Sequence, residues 1–252
     1  MGVLNDKVCV VTGAAGSIGL ASCRLFLAEG AKVMLVDQTE TGLKAAIQDL
    51  PPDRVAWQVG DVRHAASVKA FIDATVARFG PIDVLFSNAG NSGVIAPLED
   101  YPEEVFDDIY QVHVKGAFLV CKYGMPKMND GGSIIITSSV AGLRGDRGAY
   151  GYITAKHAQV GVMRCMAKEG APRRIRVNTL HPGPTKNAFQ DDIEMRLTPV
   201  LQRDAGQFFD SMIPLGRHAS PEEIASCALF LASSNSSYVT GSLLVADGGM
   251  SA

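Results

Sequence analysis

No stretch of this sequence approaches the ~18 consecutive apolar residues that a membrane-spanning helix needs, so no membrane partner is expected. The N-terminus, Met-Gly-Val-Leu-Asn-Asp-Lys, has no apolar core behind a basic start and does not read as a signal peptide. A lipid-attachment signal on Gly2 wants Ser or Thr at position 6, which is Asp6. Cysteine is scarce. Cys9, Cys23, Cys121, Cys165 and Cys227 are odd in number and form no C-x-x-C pair. They read as reduced core thiols of a cytoplasmic protein rather than a disulfide scaffold. The five histidines show no H-E-x-x-H or other ligand spacing, so no metal is expected. Neither sign of charge dominates: 23 Lys and Arg face 26 Asp and Glu. Without a basic patch, nucleic acid is not an expected partner. No segment repeats and none is low in complexity.

What is present is a foldable chain. Its 252 residues are 47% apolar and 19% charged, outside the range of disordered sequences. Short apolar, β-branched runs occur at Val8–Val11, Val33–Val36, Ala56–Val59, Val84–Phe86, Ile134–Thr137, Arg176–Leu180 and Leu243–Val245. Most lack polar alternation, which fits strands buried on both faces of a parallel sheet. Helical patterns lie between them, near 18–29, 40–49, 65–79, 103–127, 151–169 and 221–233. In the last, Ser220-Pro221-Glu222-Glu223 is a helix start: a capping Ser, Pro in the first turn, then acids at the positive dipole end. This alternation predicts an α/β fold, a doubly wound parallel sheet of about seven strands with helices on both faces. No linker interrupts it, so residues 1–252 read as one domain. Residues 184–219 break the rhythm, with Phe189, Met195, Leu197, Phe208, Phe209 and Met212 among polar residues. They read as two short helices, and more specifically as a mobile substrate lid, because they follow a strand end where such folds bind ligands.

The first strand runs into Thr12-Gly13-Ala14-Ala15-Gly16-Ser17-Ile18-Gly19 and then a helix. Glycines there permit a tight turn and bring backbone N–H groups to a pyrophosphate at the helix N-terminus. Asp37 ends the second strand, where a carboxylate accepts hydrogen bonds from both ribose hydroxyls of NAD and repels a 2′-phosphate. No Lys or Arg lies in 12–19 or at 38–39, so NAD is favoured over NADP. A second constellation is Tyr152-Ile153-Thr154-Ala155-Lys156, which sets Tyr and Lys on one helix face. The spacing alone is unspecific, since Tyr123 and Lys127 share it. What distinguishes Tyr152 is Ser139, just past a strand and 13 residues upstream.

Together these features resemble the single-domain branch of the short-chain dehydrogenase/reductase family, over essentially the whole chain. The resemblance extends to Asp61-Val62, Asn88-Ala89-Gly90 and Pro182-Gly183, after the third, fourth and sixth strands. It implies that Gly13, Gly16, Ser17, Ile18, Gly19 and Asp37 hold the dinucleotide, and that Asp61 and Val62 border its adenine. It further implies that Asn88, Ala89 and Gly90 support the central sheet and line the cofactor, and that Pro182, Gly183 and Thr185 reach the nicotinamide end. It makes Ser139, Tyr152 and Lys156 catalytic, with Tyr152 and Lys156 also touching the cofactor. It implies a homotetramer with the helices near 103–127 and 151–169 at an interface. Three positions depart from the family pattern. Ser17 replaces the middle glycine of the turn, with Gly16 one place earlier. His113, in Val112-His113-Val114-Lys115-Gly116, replaces a relay asparagine and is taken as a catalytic candidate. Asn187 stands where the family has threonine.

The implied reaction is hydride transfer between NAD and a secondary alcohol or ketone. Tyrosine, with a reference pKa of about 10, is a poor base. A Lys⁺ ~4 Å away at an effective dielectric of ~20 favours tyrosinate by about 4 kcal/mol, which would move Tyr152 toward neutrality. Ser139 would stabilise charge on the substrate oxygen. Two rivals share the fold: a dinucleotide-sensing or scaffold protein without turnover, and a cofactor-independent lyase or dehalogenase. The intact Ser139, Tyr152 and Lys156 oppose the first, and the glycine turn with Asp37 opposes the second. Arg144 and Arg147 read as solvated loop charges; pointing inward, they would favour an anionic substrate.

Overall fold

Each apolar run becomes a strand. The structure, a computed structural model, describes residues 2–252. The strands are β1 (Val8–Thr12), β2 (Lys32–Asp37), β3 (Val55–Val59), β4 (Ile82–Ser87), β5 (Met128–Thr137), β6 (Arg176–Pro182) and β7 (Leu243–Ala246). All pair in parallel in the order β3-β2-β1-β4-β5-β6-β7. The chain winds outward from β1 in one direction and from β4 in the other. The order therefore reverses between β1 and β4, where doubly wound sheets leave a crevice at the carboxyl ends of their strands.

Helices cover both faces, so the central strands β1 and β2 and most of β4 are apolar, while β6 also buries Arg176, Asn178, Thr179 and His181. On β1, Val8 and Val10 pack to one side, Cys9 and Val11 to the other. The first side meets α3 (Ala65–Phe79), α5 (Gly116–Gly124) and α6 (Tyr150–Gly170) through Phe71, Ile72, Val120 and Met163. The second meets α1 (Ser17–Ala28), α2 (Glu40–Ala46) and α9 (Pro221–Ala232) through Phe26, Leu43 and Leu231. Fully burying one such side chain stabilises the fold by roughly 1.5–3 kcal/mol. The expected start of α9 forms a complete capping box: Ser220 Oγ accepts from Glu223 N at 3.3 Å, and Glu223 Oε2 accepts from Ser220 N at 2.8 Å.

Two expectations need correction. The single helix expected over 103–127 is broken into α4 (Glu103–Tyr110), one π-helical turn at Gln111–Lys115, α5, and a 3₁₀ turn at Met125–Lys127 that contains Pro126. The π turn inserts an extra residue into the helical path and re-aims the side chains beyond it. The 3₁₀ turn takes Lys127 off the helix that carries Tyr123; its Nζ instead lies 4.0 Å from Asp73. The thiols, moreover, are not all core residues. Cys9, Cys23 and Cys121 are buried, Cys227 is half-buried, and Cys165 is exposed on the outer side of α6. Residues 184–219 contain two helices, α7 (Ala188–Leu201) and α8 (Ala205–Met212). Among the described residues no helix is long and apolar enough to cross a membrane, and no three His, Cys, Asp or Glu side chains are grouped to hold a metal.

Candidate active site

The crevice at the β1–β4 reversal opens into a cavity of about 1430 Å³. Its floor is the turn after β1. Gly13 has φ of +65°, and a Cβ there would stand 2.9 Å from the Ala89 Cα; one on Gly19 would stand 2.2 Å from the Gly13 carbonyl oxygen. Both glycines are therefore required by close backbone approach. Gly16, at φ of −74°, is the N-cap of α1, with Ser17 as first helical residue. No side chain caps this N-terminus and no acid lies in its first turn. Gly13, Gly16, Ser17, Ile18 and Gly19 all line the cavity. The helix thus presents free amides and its positive end to the space, which suits a pyrophosphate. Asp37 accepts from Ala15 N at 3.0 Å and from Gln38 N at 2.8 Å, which ties the end of β2 to the turn.

Asn88, after β4, holds the two halves of the sheet together. Its amide donates to the Thr12 carbonyl at 3.2 Å, and its Oδ1 accepts from Thr137 Oγ1 at 3.0 Å. Val62, Ala89 and Gly90 line the cavity. Asp61 is occupied by Arg63, whose Nε and Nη2 reach its carboxylate at 3.0 and 2.7 Å. The Arg63 guanidinium, which sequence reasoning missed, also donates to Asp108 at 2.8 Å. Asp108 in turn accepts from Asn91 Nδ2 at 2.8 Å. At the far end Pro182, Gly183 and Thr185 line the wall, with Thr185 Oγ1 donating to the Gly183 carbonyl at 3.0 Å. Asn187 caps α7 by accepting from Gln190 N at 2.8 Å.

Ser139, Tyr152 and Lys156 come together where β5 ends and α6 begins. The Ser139 hydroxyl accepts from Ala141 N at 3.1 Å and lies beside the Tyr152 phenol. Its backbone is fixed from below: His181 Nδ1 lies 2.8 Å from the Ser139 carbonyl, and His181 Nε2 lies 2.8 Å from Thr179 Oγ1. A carbonyl only accepts, so Nδ1 carries the hydrogen and Nε2 accepts from Thr179. Lys156 donates to the Thr137 carbonyl at 2.7 Å, and its Nζ lies 5.3 Å from the Tyr152 ring centroid. The expected depression of the tyrosine by Lys⁺ is not the balance observed. Burial pushes Tyr152 up to about 12 against the lowering effect of the nearby Ser139 hydroxyl, and burial pushes Lys156 down to about 7. Desolvation of the charged form dominates at both groups. The pair as a unit gives up its first proton near neutral pH, while the phenol keeps its own.

His113 sits in the π turn, almost fully buried, with its ring edge-on to Tyr152 at a centroid distance of 5.5 Å. Its Nε2 lies 2.9 Å from the Asn91 carbonyl oxygen and 3.2 Å from the Asn91 amide nitrogen. One nitrogen cannot serve both; the shorter contact assigns the hydrogen to Nε2. Nδ1 is then an acceptor, buried and without a partner among the described residues. A Cβ on Gly90 would stand 2.5 Å from His113 Cε1, so the ring fills the space that a side chain at 90 would need. Burial first, then the charge on Lys156, hold the ring well below its ordinary value of 6.5.

That shift has a consequence for stability. As pH falls below about 6.5, the unfolded chain takes up a proton at His113 that the folded chain refuses, so stability is lost by about 1.4 kcal/mol per pH unit. Denaturant titrations of wild type and His113→Asn, run at several pH values below this point, should converge at that slope. A constant gap would show that the folded ring is protonated.

Arg144 does line the cavity, with Nη2 3.9 Å from Met250 Sδ and Nε 3.5 Å from Asp146. Arg147 lines it too, but is exposed. Helix α7 reaches across to the loop after β4. Ser92 Oγ donates to Asp192 at 2.9 Å, and Arg196 bonds both Asp192 and the Gly93 carbonyl.

Comparison with known proteins agrees with this geometry. The family model described as enoyl-(acyl carrier protein) reductase matches residues 13–251. Levodione reductase of Leifsonia aquatica is 36% identical over 98% of this chain and 95% of its own length. The 3-oxoacyl-(acyl-carrier-protein) reductase FabG of Thermotoga maritima is 39% identical over 98% of each chain. Among solved structures, a levodione reductase superposes with a TM-score of 0.93 at 34% identity over 98% of both chains. A glucose/ribitol dehydrogenase of this kind from Brucella melitensis superposes with a TM-score of 0.91 at 30% identity over the full length of both. Matched along nearly its whole length by the family model, by relatives 36–39% identical and by solved structures of the same fold, the chain belongs to the short-chain dehydrogenase/reductase family of oxidoreductases.

Proposed function

We propose that this protein interconverts a secondary alcohol and a ketone with NAD(H), using Tyr152 as general acid and base. The observation that carries the reading is the meeting of Ser139, Tyr152 and Lys156 in the same cavity as the uncapped N-terminus of α1. A bound dinucleotide supplies or accepts the hydride. Ser139 and Tyr152 hold the substrate oxygen, and Tyr152, which keeps its proton, gives it to that oxygen during ketone reduction. Lys156 orients the nicotinamide ribose and exchanges protons near neutral pH. His113 serves as a neutral relay: its bare Nδ1 can take a proton from the Lys156 side while Nε2–H releases one toward Asn91. Asp61 acts through Arg63 on the adenine end, and Pro182 to Thr185 flank the nicotinamide end. Residues 184–219 form the substrate lid of a single domain. The protein works in the cytoplasm as a homotetramer, needs no metal, and takes small-molecule substrates.

NAD is the cofactor because nothing beside Asp37 would neutralise a 2′-phosphate. Its neighbours on the cavity wall are Ala15, Ser17, Gln38, Thr39 and Gly42, and Arg63 is committed to Asp61 and Asp108. Cofactor absorbance with a panel of ketones and secondary alcohols tests both parts. Turnover is expected with NAD(H), at a kcat/KM at least about a hundredfold above that with NADP(H). Asp37→Ala should shrink that ratio. Equal use of both cofactors by wild type would overturn the choice of NAD, and binding of NADH without turnover of any substrate would leave a sensing role instead.

A further inference from the structure

The lid is held by unusual means. No side chain of α7 is buried, and in α8 only Ala205 is. Apolar burial therefore contributes little to its closure, and polar ties carry more of it. The most enclosed of these centres on His218, a buried residue at the base of the lid that the proposed chemistry does not use. Its Nε2 lies 2.7 Å from Glu194 Oε1 on α7, and its Nδ1 lies 2.7 Å from Asp210 Oδ1 on α8. The next residue, Ala219, bridges to Thr185 and closes the base of the insertion.

A carboxylate oxygen can only accept, so each contact needs a hydrogen on its ring nitrogen. A neutral imidazole carries one. With a neutral ring, one nitrogen lone pair would face a carboxylate oxygen at 2.7 Å. With both carboxylates ionised, the geometry is satisfied only by the doubly protonated ring, in two charge-assisted bonds. Among the described residues no other cation pairs with Glu194 or Asp210. Arg217, the chain neighbour, turns its guanidinium to Glu223 at 2.7 and 2.8 Å and to the His218 carbonyl. Glu194 Oε1 also accepts from Gln190 Nε2 at 2.9 Å, and Phe209 stands edge-on to the ring. A Cβ on Gly206 would come within 2.8 Å of Glu194 Oε2, so this glycine leaves room for the carboxylate.

We propose that His218 is a positioning residue: as an imidazolium it clamps α7 to α8 over the substrate end of the cavity, and its deprotonation loosens the lid. Both helices supply cavity wall, α7 through Phe189 and Ile193, α8 through Phe208 and Met212. Substrate binding should therefore weaken as pH rises, while cofactor binding at the other end does not. Loss of the ring proton leaves two carboxylates converging on a neutral group, which repel. The inference rests on reading 184–219 as a lid, but its test needs no substrate.

Long-range proton–nitrogen spectra of the imidazole rings, with His218 identified by its loss in His218→Gln, read the hydrogens directly. Both nitrogens are expected to be protonated on the acidic side of the transition. Amide exchange over 188–212, corrected for intrinsic pH dependence, should speed up about tenfold as the ring deprotonates, while the sheet stays protected. In His218→Gln exchange should be fast and free of this step. Gly206→Ala, which displaces Glu194 without touching the ring, should also speed it. NADH affinity should stay within about twofold throughout. A ring with a single hydrogen at every pH, or lid exchange unmoved by His218→Gln, would overturn the clamp. A positive result together with no turnover of any ketone would keep the clamp and defeat only the oxidoreductase reading.

Discussion

Tyr152→Phe is expected to lower kcat by about 10²–10⁴-fold while NADH still binds within a few-fold of wild type. The substitution removes one hydroxyl. The ring keeps its packing, edge-on to His113 at 5.5 Å and tilted against Phe189 at 6.1 Å. What disappears is the proton carrier beside Ser139. An effect confined to the proton step lowers kcat and kcat/KM together, and single-turnover kinetics with the best ketone from the panel would separate it from binding. Tyr123→Phe is the matched control. Tyr123, on α5, packs against the core, and its spaced lysine lies beyond the helix, so the change should be mild. A fatal Tyr123→Phe, or a Tyr152→Phe enzyme with a tenth of wild-type turnover, would refute the assignment.

The second large effect is on stability. Lys156→Met should kill turnover yet make the fold more stable, and the gain should depend on pH. Burial lowers Lys156 from 10.5 to about 7. Below about pH 7 folded and unfolded chains both hold the proton, and burying that charge costs about 4–5 kcal/mol. Between there and about pH 10.5 the unfolded chain keeps a proton that the folded chain has lost, so wild-type stability rises with pH. Methionine removes the charge at similar volume and forfeits one hydrogen bond to the Thr137 carbonyl, worth about 1 kcal/mol. The variant should therefore gain about 3 kcal/mol, or roughly 6–12 °C in Tm, on the acidic side. It should lose that advantage above about pH 10.5. Denaturant curves at the two pH extremes decide the matter. An equal gain at both would mean that the lysine is solvated in the folded protein.

The sheet was legible because its central strands are largely apolar runs buried on both faces, a pattern carried by neighbouring residues, although the edge strands β3 and β7 are partly exposed. α3 was expected over 65–79 and forms over Ala65–Phe79. The turn at 13–19 and Asp37 were legible because strand, glycine and acid stand at fixed spacing. The break at Gln111–Lys115 was not, since a π turn has the same composition as the helix around it. Arg63 and His181 escaped notice for a related reason. Each makes a hydrogen bond to a residue far along the chain, Asp108 and Ser139 respectively, and no local pattern announces such a partner. The tie of α7 to the loop after β4 is the extreme case, with Ser92 and Asp192 a hundred positions apart. The proton balance of Tyr152 and Lys156 was misjudged because spacing on a helix gives proximity but says nothing of enclosure, and enclosure decides it.

The fit between His113 and Gly90 couples their histories. The imidazole occupies the volume in which any β-carbon at 90 would lie. A lineage that acquired the histidine could do so only on a glycine background. Having acquired it, that lineage lost access to every other residue at 90 until position 113 became smaller again. The two sites thus form an epistatic pair in which the order of substitutions is constrained: shrink the ring first, then fill the gap. Ancestors and engineered descendants that differ at 90 must be reached through asparagine or another small residue at 113, never from this sequence in a single step.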